Sequence, residues 1–203
     1  MVNRGEKVGR ENAVTKTGVE TRPVGAGNSE RAGRSAAALE PGDRATLTRE
    51  VTEVELALFG AATGDTNPIH FDPDYARSTR FRGPIAHGLL AAGLISAVIA
   101  NQLPGLGTVY VSQDLRFLAP VRIGDRVTAE VEVLAVDRER NRARLRTSCV
   151  TQEGIVVVDG EATVMPPLVP LDPVGQGPLQ ERQREVEGRL RGATAAFREA
   201  FLG

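Results

Sequence analysis

The sequence predicts an α+β fold in which an antiparallel sheet wraps around one long helix. Residues 86–101 are apolar on all sides, a pattern typical of a helix that other structure encloses. Four strand-like runs with turn-forming residues between them follow this helix: 108–118, 126–137, 143–151 and 155–165. Consecutive strands joined by short turns pair antiparallel, so these runs predict a meander covering the helix.

Composition limits the classes of partner. The chain has 203 residues, 41% of them hydrophobic, which is enough for one domain with appendages. A formal net charge of −1 gives no general attraction to nucleic acid or to an anionic membrane, and 4% aromatic residues offer little for stacking on bases. The longest apolar run, 88–100, is too short to cross a bilayer. We therefore expect a cytoplasmic protein with no nucleic-acid or membrane partner.

The chain divides into four predicted segments. Residues 1–40 lack large apolar side chains and are predicted to be a disordered tail. The predicted domain spans 41–166, and a proline-rich linker, 167–178, follows it. Residues 179–203 carry apolar side chains at helical spacing among charges, which predicts an amphipathic C-terminal helix.

The first part of the domain is predicted to be mostly helix and loop. A helix is expected over 52–62, with Gly64 as its stop signal. Its inward face is predicted from four apolar residues at helical spacing: Val54, Leu58, Ala61 and Ala62. Three X-Pro dipeptides in 65–84 predict a shaped loop with one helical turn near 74–78.

The sequence contains no motif that predicts a disulfide, a metal site or a bound cofactor. The single cysteine, Cys149, excludes an internal disulfide and is predicted to be a small buried residue. His70 and His87 lack the spacing of zinc ligands, so we predict no metal site. Glycine-rich phosphate loops, nucleotide-binding fingerprints and the Gly-x-Ser-x-Gly motif do not occur, so no cofactor is predicted.

Three residues provide the groups needed for acid–base chemistry beside a carbonyl. Asp65 and His70 lie five residues apart, and the chain has only two histidines. An imidazole can take and give a proton near neutral pH, and a carboxylate can orient it or bind a water with it. Gly88 opens the long helix, where a free backbone N–H can stabilise an oxyanion by about 3–4 kcal/mol. A glycine needed only for packing is the alternative.

Three further residues are candidates for supporting the site. Asn67 could orient a water or hold the loop, and an Asx turn before proline is equally compatible with it. His87 is expected to hydrogen-bond to the loop. Ser96 could line a tunnel for an acyl chain or simply pack as a small residue.

These residues lie in motifs that resemble a known family. The run 63–72, followed by 81–83 and 85–89, is similar to the hydratase 2 motif of the MaoC-like family, the (R)-specific enoyl-CoA hydratases. The later run 111–121 also resembles that family. The likeness covers about 41–166.

The resemblance implies a hot-dog fold, a homodimer and no cofactor. It implies that Asp65 and His70 hold the water added to C3 of a trans-2-enoyl thioester, and that Gly88 donates to the thioester oxygen. Asn67 and Ser96 would support the pocket. Four arginines are candidates to meet the CoA phosphates, and each could equally be a solvated surface charge: Arg80, Arg82, Arg116 and Arg122.

Other functions remain open from the sequence. The same residues could act on acyl-carrier-protein thioesters as a dehydratase, or on branched acyl-CoA. A hot-dog thioesterase and a non-catalytic subunit that binds acyl thioesters are further alternatives, because a fold does not by itself fix a function.

Overall fold

A computed structural model describes residues 33–169 and, beyond them, four exposed helical residues: Glu185, Gly188, Arg189 and Gly192. This part of the chain contains a short 3-10 turn, five strands and four helices. In chain order they are Ala36–Ala38 (3-10), Arg44–Glu50 (β1), Glu53–Thr63 (α1), Pro68–Phe71 (α2), Pro73–Ser78 (α3), Gly88–Asn101 (α4), Val109–Phe117 (β2), Arg126–Asp137 (β3), Arg142–Thr151 (β4) and Val156–Met165 (β5).

All five strands form one antiparallel sheet in the order β1-β3-β4-β5-β2. The first strand and the strand after α4 therefore lie at opposite edges. Irregularities in pairing fall between Val133 and Ala135 and between Tyr110 and Ser112, where bulges increase the bend of a strand. The predicted fold class and the four predicted strands are confirmed. The predicted meander is wrong for β2, which pairs with β5, whereas consecutive pairing would place it beside β3.

The core lies between α4 and the concave face of the sheet. Every second residue of β3 faces inward, and each of them is at most 1% exposed: Val127, Ala129, Val131 and Val133. One side of α4 meets them with Ala91, Ile95, Val98 and Ile99. Full burial of a valine or isoleucine side chain contributes about 1.5–3 kcal/mol, so this contact is the main source of the domain's stability.

The opposite side of α4 is open, and the prediction of a fully enclosed helix is wrong in this respect. Leu89 is 59% exposed, and Gly93, Ser96 and Ala100 continue the same exposed stripe. The sheet curves around only one side of the helix. Apolar residues all round a helix indicate that its surroundings are apolar, but they do not say whether the same chain supplies them.

Helix α1 begins and ends as predicted but turns a different face inward. Leu56, Ala57 and Gly60 are its buried residues, whereas Val54 is 44% exposed. A Cβ added at Gly60 would lie 2.9 Å from the Phe71 ring, so the helix packs closely at a glycine. Glycine adds nothing to a hydrophobic pattern, and the pattern therefore indicated the wrong side.

The domain was predicted to start at residue 41, but the structure shows that it begins earlier. Leu39 is completely buried in the core cluster, and Ala36 is 5% exposed. The Arg34 N–H donates to the Pro104 carbonyl at 2.8 Å, and its guanidinium pairs with Asp43 at 2.7 Å. A segment with few apolar residues still folds here because one leucine reaches the core.

The predicted tail over 1–32 lies outside the described residues, as do the linker from 170 onward and most of the predicted C-terminal helix. Within the described part of the chain, no helix is both long and apolar enough to span a bilayer.

Replacing Leu39 with alanine tests whether this segment belongs to the folded domain. We expect the free energy of unfolding, measured by urea denaturation, to fall by about 2–5 kcal/mol, the usual cost of truncating a buried leucine. The exposed neighbour Ala37 provides the control, since Ala37→Ser should change stability by less than about 0.5 kcal/mol. Equal stability of the Leu39→Ala variant and the wild type would place the domain start after residue 39.

Candidate active site

A left-handed turn places Asp65 at the start of the site. Gly64 ends α1 with φ of +77°, a conformation that favours glycine, and its N–H donates to the Gly60 carbonyl at 2.8 Å. The Asp65 N–H lies 3.2 Å from the Thr63 hydroxyl oxygen. The Asp65 carboxylate accepts from the Asn67 N–H at 3.3 Å. Asp65 is exposed, so its carboxylate is open to water.

Asn67 shapes the turn that leads to His70. Its side-chain oxygen accepts from the Ile69 N–H at 3.1 Å, and Pro68 occupies the first helical position of α2. The His70 N–H then donates to the Asn67 carbonyl at 3.0 Å. The structure therefore shows Asn67 in the Asx-turn role that the sequence left open.

The protonation pattern of His70 follows from its partner. His70 Nδ1 lies 2.7 Å from the Ile85 carbonyl oxygen, which can only accept. Nδ1 therefore carries the hydrogen, and Nε2 has a free lone pair whenever the ring is neutral. The Ile85 N–H lies 3.4 Å from the Ile69 carbonyl and joins the same two loops.

His87 packs directly against His70. The two ring centroids are 3.8 Å apart and the planes 29° apart, a stacked arrangement. His87 Nε2 lies 3.0 Å from the Asp65 backbone carbonyl, so Nε2 is the protonated nitrogen. The ring is 2% exposed, and Nδ1 is buried with no hydrogen-bond partner among the described residues. Phe59 and Phe71 complete its surroundings at 4.7 and 5.6 Å.

Burial lowers the pKa of His87 below the ordinary histidine value of 6.5. Loss of hydration is the largest cause, because it disfavours the charged ring. The hydrogen bond to the Asp65 carbonyl raises the pKa and opposes this effect. The nearby His70 ring lowers it further, and the Asp65 charge raises it slightly. The result is a ring that is neutral at pH 7.

The fold brings together a carboxylate oxygen of Asp65, a nitrogen of His70 and a nitrogen of His87, all within 4.8 Å of one another. Distance alone would suit a metal ion, which spacing in the sequence did not suggest. Ring lone pairs lie in the ring planes, and planes only 29° apart do not converge on one ion about 2.1 Å from each nitrogen.

Gly88 is the first residue of α4, so its N–H has no acceptor within the helix. A Cβ added at this position would lie 2.9 Å from two carbons of the Phe117 ring. Glycine is therefore needed for packing, as the alternative stated. This packing role does not involve the Gly88 N–H, which lies at the positive end of the helix dipole and has no acceptor within the helix.

Ser96 and the arginines are the remaining candidates from the sequence. Ser96 is exposed and follows Gly88 by about 12 Å along the helix axis. Arg116 pairs with Asp159 on the sheet at 2.5 Å. Arg80 lies over the Phe81 ring at 4.7 Å, and Arg122 donates to the Phe81 carbonyl at 2.7 Å.

Sequence reasoning did not identify the aromatic contacts of the site. Phe59, Phe71 and Phe117 pack against His87 or Gly88, yet each is an ordinary apolar residue in the sequence. Phe71 lies within the family-like run 63–72 and Phe117 within the family-like run 111–121, and these resemblances were the available signals.

Comparison with known proteins identifies the family. The model of the MaoC like domain matches residues 36–154, more than half of the chain. The chain belongs to the MaoC-like family. The match begins five residues before the predicted domain start, in agreement with the buried Leu39.

Curated relatives and solved structures extend this result. The chain is 49% identical over 129 residues to an (R)-specific enoyl-CoA hydratase of Rhodospirillum rubrum, covering 64% of this chain and 89% of that relative. It is 50% identical over 129 residues to a 3-hydroxybutyryl-CoA dehydratase of Methylorubrum extorquens, covering 64% and 82%. The unliganded R-hydratase PhaJ1 of Pseudomonas aeruginosa superposes with a TM-score of 0.65 at 46% identity, covering 69% and 90%. The hot-dog fold that the resemblance implied is confirmed.

The lowered pKa of His87 predicts how stability depends on pH. Below about pH 6.5, His87 binds a proton more readily in the unfolded state than in the folded state. The free energy of unfolding therefore falls as the solution becomes more acidic. Above pH 6.5 this penalty disappears. Urea denaturation at pH 8 and pH 5 should show that the stability of wild type relative to His87→Gln decreases at pH 5. Asp65 and His70 face this ring in both proteins, and a pH-independent difference would contradict the prediction.

Proposed function

We propose that this protein is an (R)-specific enoyl-CoA hydratase, which acts reversibly as a 3-hydroxyacyl-CoA dehydratase. One observation carries the proposal: the Asp65 carboxylate and His70 lie together beside His87, the residue that precedes the first N–H of α4. Water addition to an enoyl thioester needs a base, a proton donor and an oxyanion donor, and these groups supply all three. The family membership and the named relatives support the same reaction.

The proposed mechanism starts with a water held by two acceptors. The carboxylate of Asp65 and the free Nε2 of His70 each accept a hydrogen bond from it, which orients the oxygen toward C3 and lowers the entropic barrier. As the C3–O bond forms, one acceptor takes a proton from the water. The bond from His70 Nδ1 to the Ile85 carbonyl keeps the hydrogen on Nδ1, so Nε2 remains the acceptor of the neutral ring.

The electrons of the C2–C3 double bond move toward the thioester oxygen in the same step. Gly88 N–H stabilises the negative charge that develops there. A proton is then delivered to C2 from the Asp65–His70 pair, and the thioester carbonyl re-forms. One water is consumed and no proton is gained or lost overall. Dehydration follows the same steps in reverse.

Coenzyme A is the carrier that we propose. The two relatives at 49 and 50% identity are named as acting on CoA thioesters. Arg80 and Arg82 are exposed arginines beside the site loops, whereas Arg116 is engaged with Asp159. We also propose a cytoplasmic location, since the single cysteine, Cys149, is buried and suits a reducing compartment.

Substitution of the catalytic pair tests the mechanism. With crotonyl-CoA as substrate, Asp65→Asn and His70→Ala should each reduce turnover at least ~10²-fold, measured by loss of enoyl-thioester absorbance. Asp74→Asn, a matched change at an exposed aspartate of α3, should retain near-wild-type turnover. A dehydrogenase specific for (R)-3-hydroxyacyl-CoA reports the configuration of the product.

Three outcomes of this assay decide between functions. Rapid loss with the (R)-product, abolished in both variants, supports the hydratase. Activity on crotonyl-acyl-carrier-protein but not on the CoA thioester favours the carrier-protein dehydratase. Hydrolysis to free thiol, detected with a thiol reagent, favours the thioesterase, and near-wild-type turnover in either variant contradicts the mechanism.

We further propose a homodimer joined through the β2 edge. This edge strand and the residue that follows it expose large apolar side chains that are 37–57% accessible: Val109, Tyr110, Val111, Phe117 and Leu118. Its outer backbone groups are open for pairing, and an unprotected apolar edge is a site for strand addition. Pairing of two such edges about a twofold axis would extend the sheet to ten strands.

A charge placed on this edge should disrupt the dimer. Wild type is expected to have twice the chain mass of 21.6 kDa in light scattering, whereas Val111→Glu should shift toward the monomer mass. Val54→Glu is the control, because Val54 is similarly exposed but lies on α1. A wild-type monomer, or disruption by both variants, would contradict the proposed interface.

A further inference from the structure

We infer that His87 is a positioning residue, which holds Asp65 by a hydrogen bond and His70 by ring stacking and so fixes their relative geometry before substrate binds. This inference rests on the proposed function, because it assigns His87 to the same site. His87 itself is buried and is not assigned a contact with substrate.

The first contact fixes the loop that carries the carboxylate. His87 Nε2–H donates to the Asp65 carbonyl at 3.0 Å, across 22 residues of sequence. The other hydrogen bonds of Asp65 are local. Its N–H donates to the Thr63 hydroxyl and its carboxylate accepts from the Asn67 N–H, and both partners lie within two residues of it in sequence. The bond from His87 is thus the one described hydrogen bond that ties the Asp65 loop to the start of α4.

The second contact fixes the imidazole. His70 makes one ring hydrogen bond, from Nδ1 to the Ile85 carbonyl, and a single bond of this kind leaves the ring plane free to rock. The His87 ring lies 3.8 Å from it in a stacked arrangement and removes this freedom. The hydrogen bond and the stack together determine where His70 Nε2 points.

Packing alone does not account for a histidine at this position. The ring makes no hydrogen bond that caps its own helix, although it occupies the N-cap position of α4. Its Nδ1 is buried without a partner among the described residues, which destabilises the folded state. Phenylalanine would fill the same space between Phe59 and Phe71 without this penalty. A histidine is required only if both the ring and the Nε2 donor are used.

Two substitutions separate the two contacts. His87→Gln places an amide donor near the position of Nε2 and removes the ring, while His87→Phe keeps a ring and removes the donor. If both contacts position the pair, each variant should lower kcat at least about tenfold on crotonyl-CoA with KM changed less than about threefold, because small misplacement of catalytic groups is costly. A purely structural role would instead lower the melting temperature and leave kcat of the folded fraction unchanged.

Nitrogen NMR of the histidine side chains provides a readout that needs no substrate. The chain has only two histidines, so His70→Ala and His87→Phe assign both rings. In wild type, His70 should be the Nδ1–H tautomer and His87 the Nε2–H tautomer. In His87→Gln the His70 Nδ1–H signal should broaden through faster exchange with water, whereas His87→Phe should preserve it.

The outcomes separate this inference from the proposed function. Wild-type kcat in both variants, or a His70 signal unchanged in His87→Gln, overturns the positioning role. Absence of wild-type turnover on every thioester would refute the proposed function, and the NMR comparison would still decide whether His87 orients His70. Reduced kcat in both folded variants, together with the expected His70 signal change, supports the inference.

Discussion

Burial of one side of α4 against the concave sheet is the contact on which the site depends. Ile95, Val98 and Ile99 anchor the helix in the core, and this fixes the position of its first turn. The first turn presents the Gly88 N–H, and the residue before it, His87, contacts both Asp65 and His70. Because His87 bonds to the Asp65 carbonyl and stacks on His70, the position of this helix start bears on where both side chains lie.

The sequence predicted the elements with the strongest periodicity. Strand β3 alternates so regularly that its predicted and observed bounds coincide, and α1 is bounded by a capping box at Thr52 and by Gly64. The failures have physical causes. The buried face of α1 is built around a glycine, which a hydrophobic pattern does not register. The start of the domain depends on the single side chain of Leu39. The open side of α4 is apolar although the sheet of this chain does not cover it.

The candidate residues of the site could be named from the sequence, but their arrangement in space could not. Asp65, His70 and Gly88 stood out because their side chains or backbone suit acid–base work, and the family-like motif selected among many such residues. The stacking of His70 on His87 could not be predicted, since it depends on how the loop over 79–87 returns to the start of α4. The contact of Phe117 with Gly88 likewise joins residues 29 positions apart through the order of the strands.

The two neutral histidine rings carry their hydrogens on different nitrogens, Nδ1 in His70 and Nε2 in His87. This difference constrains the direction in which protons can move. The one N–H of each neutral ring donates to a backbone carbonyl: His70 to that of Ile85 and His87 to that of Asp65. While both rings are neutral, everything else that the cluster offers is an acceptor: two ring lone pairs and a carboxylate. In that state the cluster has no proton to give, so under the proposed mechanism the proton delivered to C2 must first be received from the bound water.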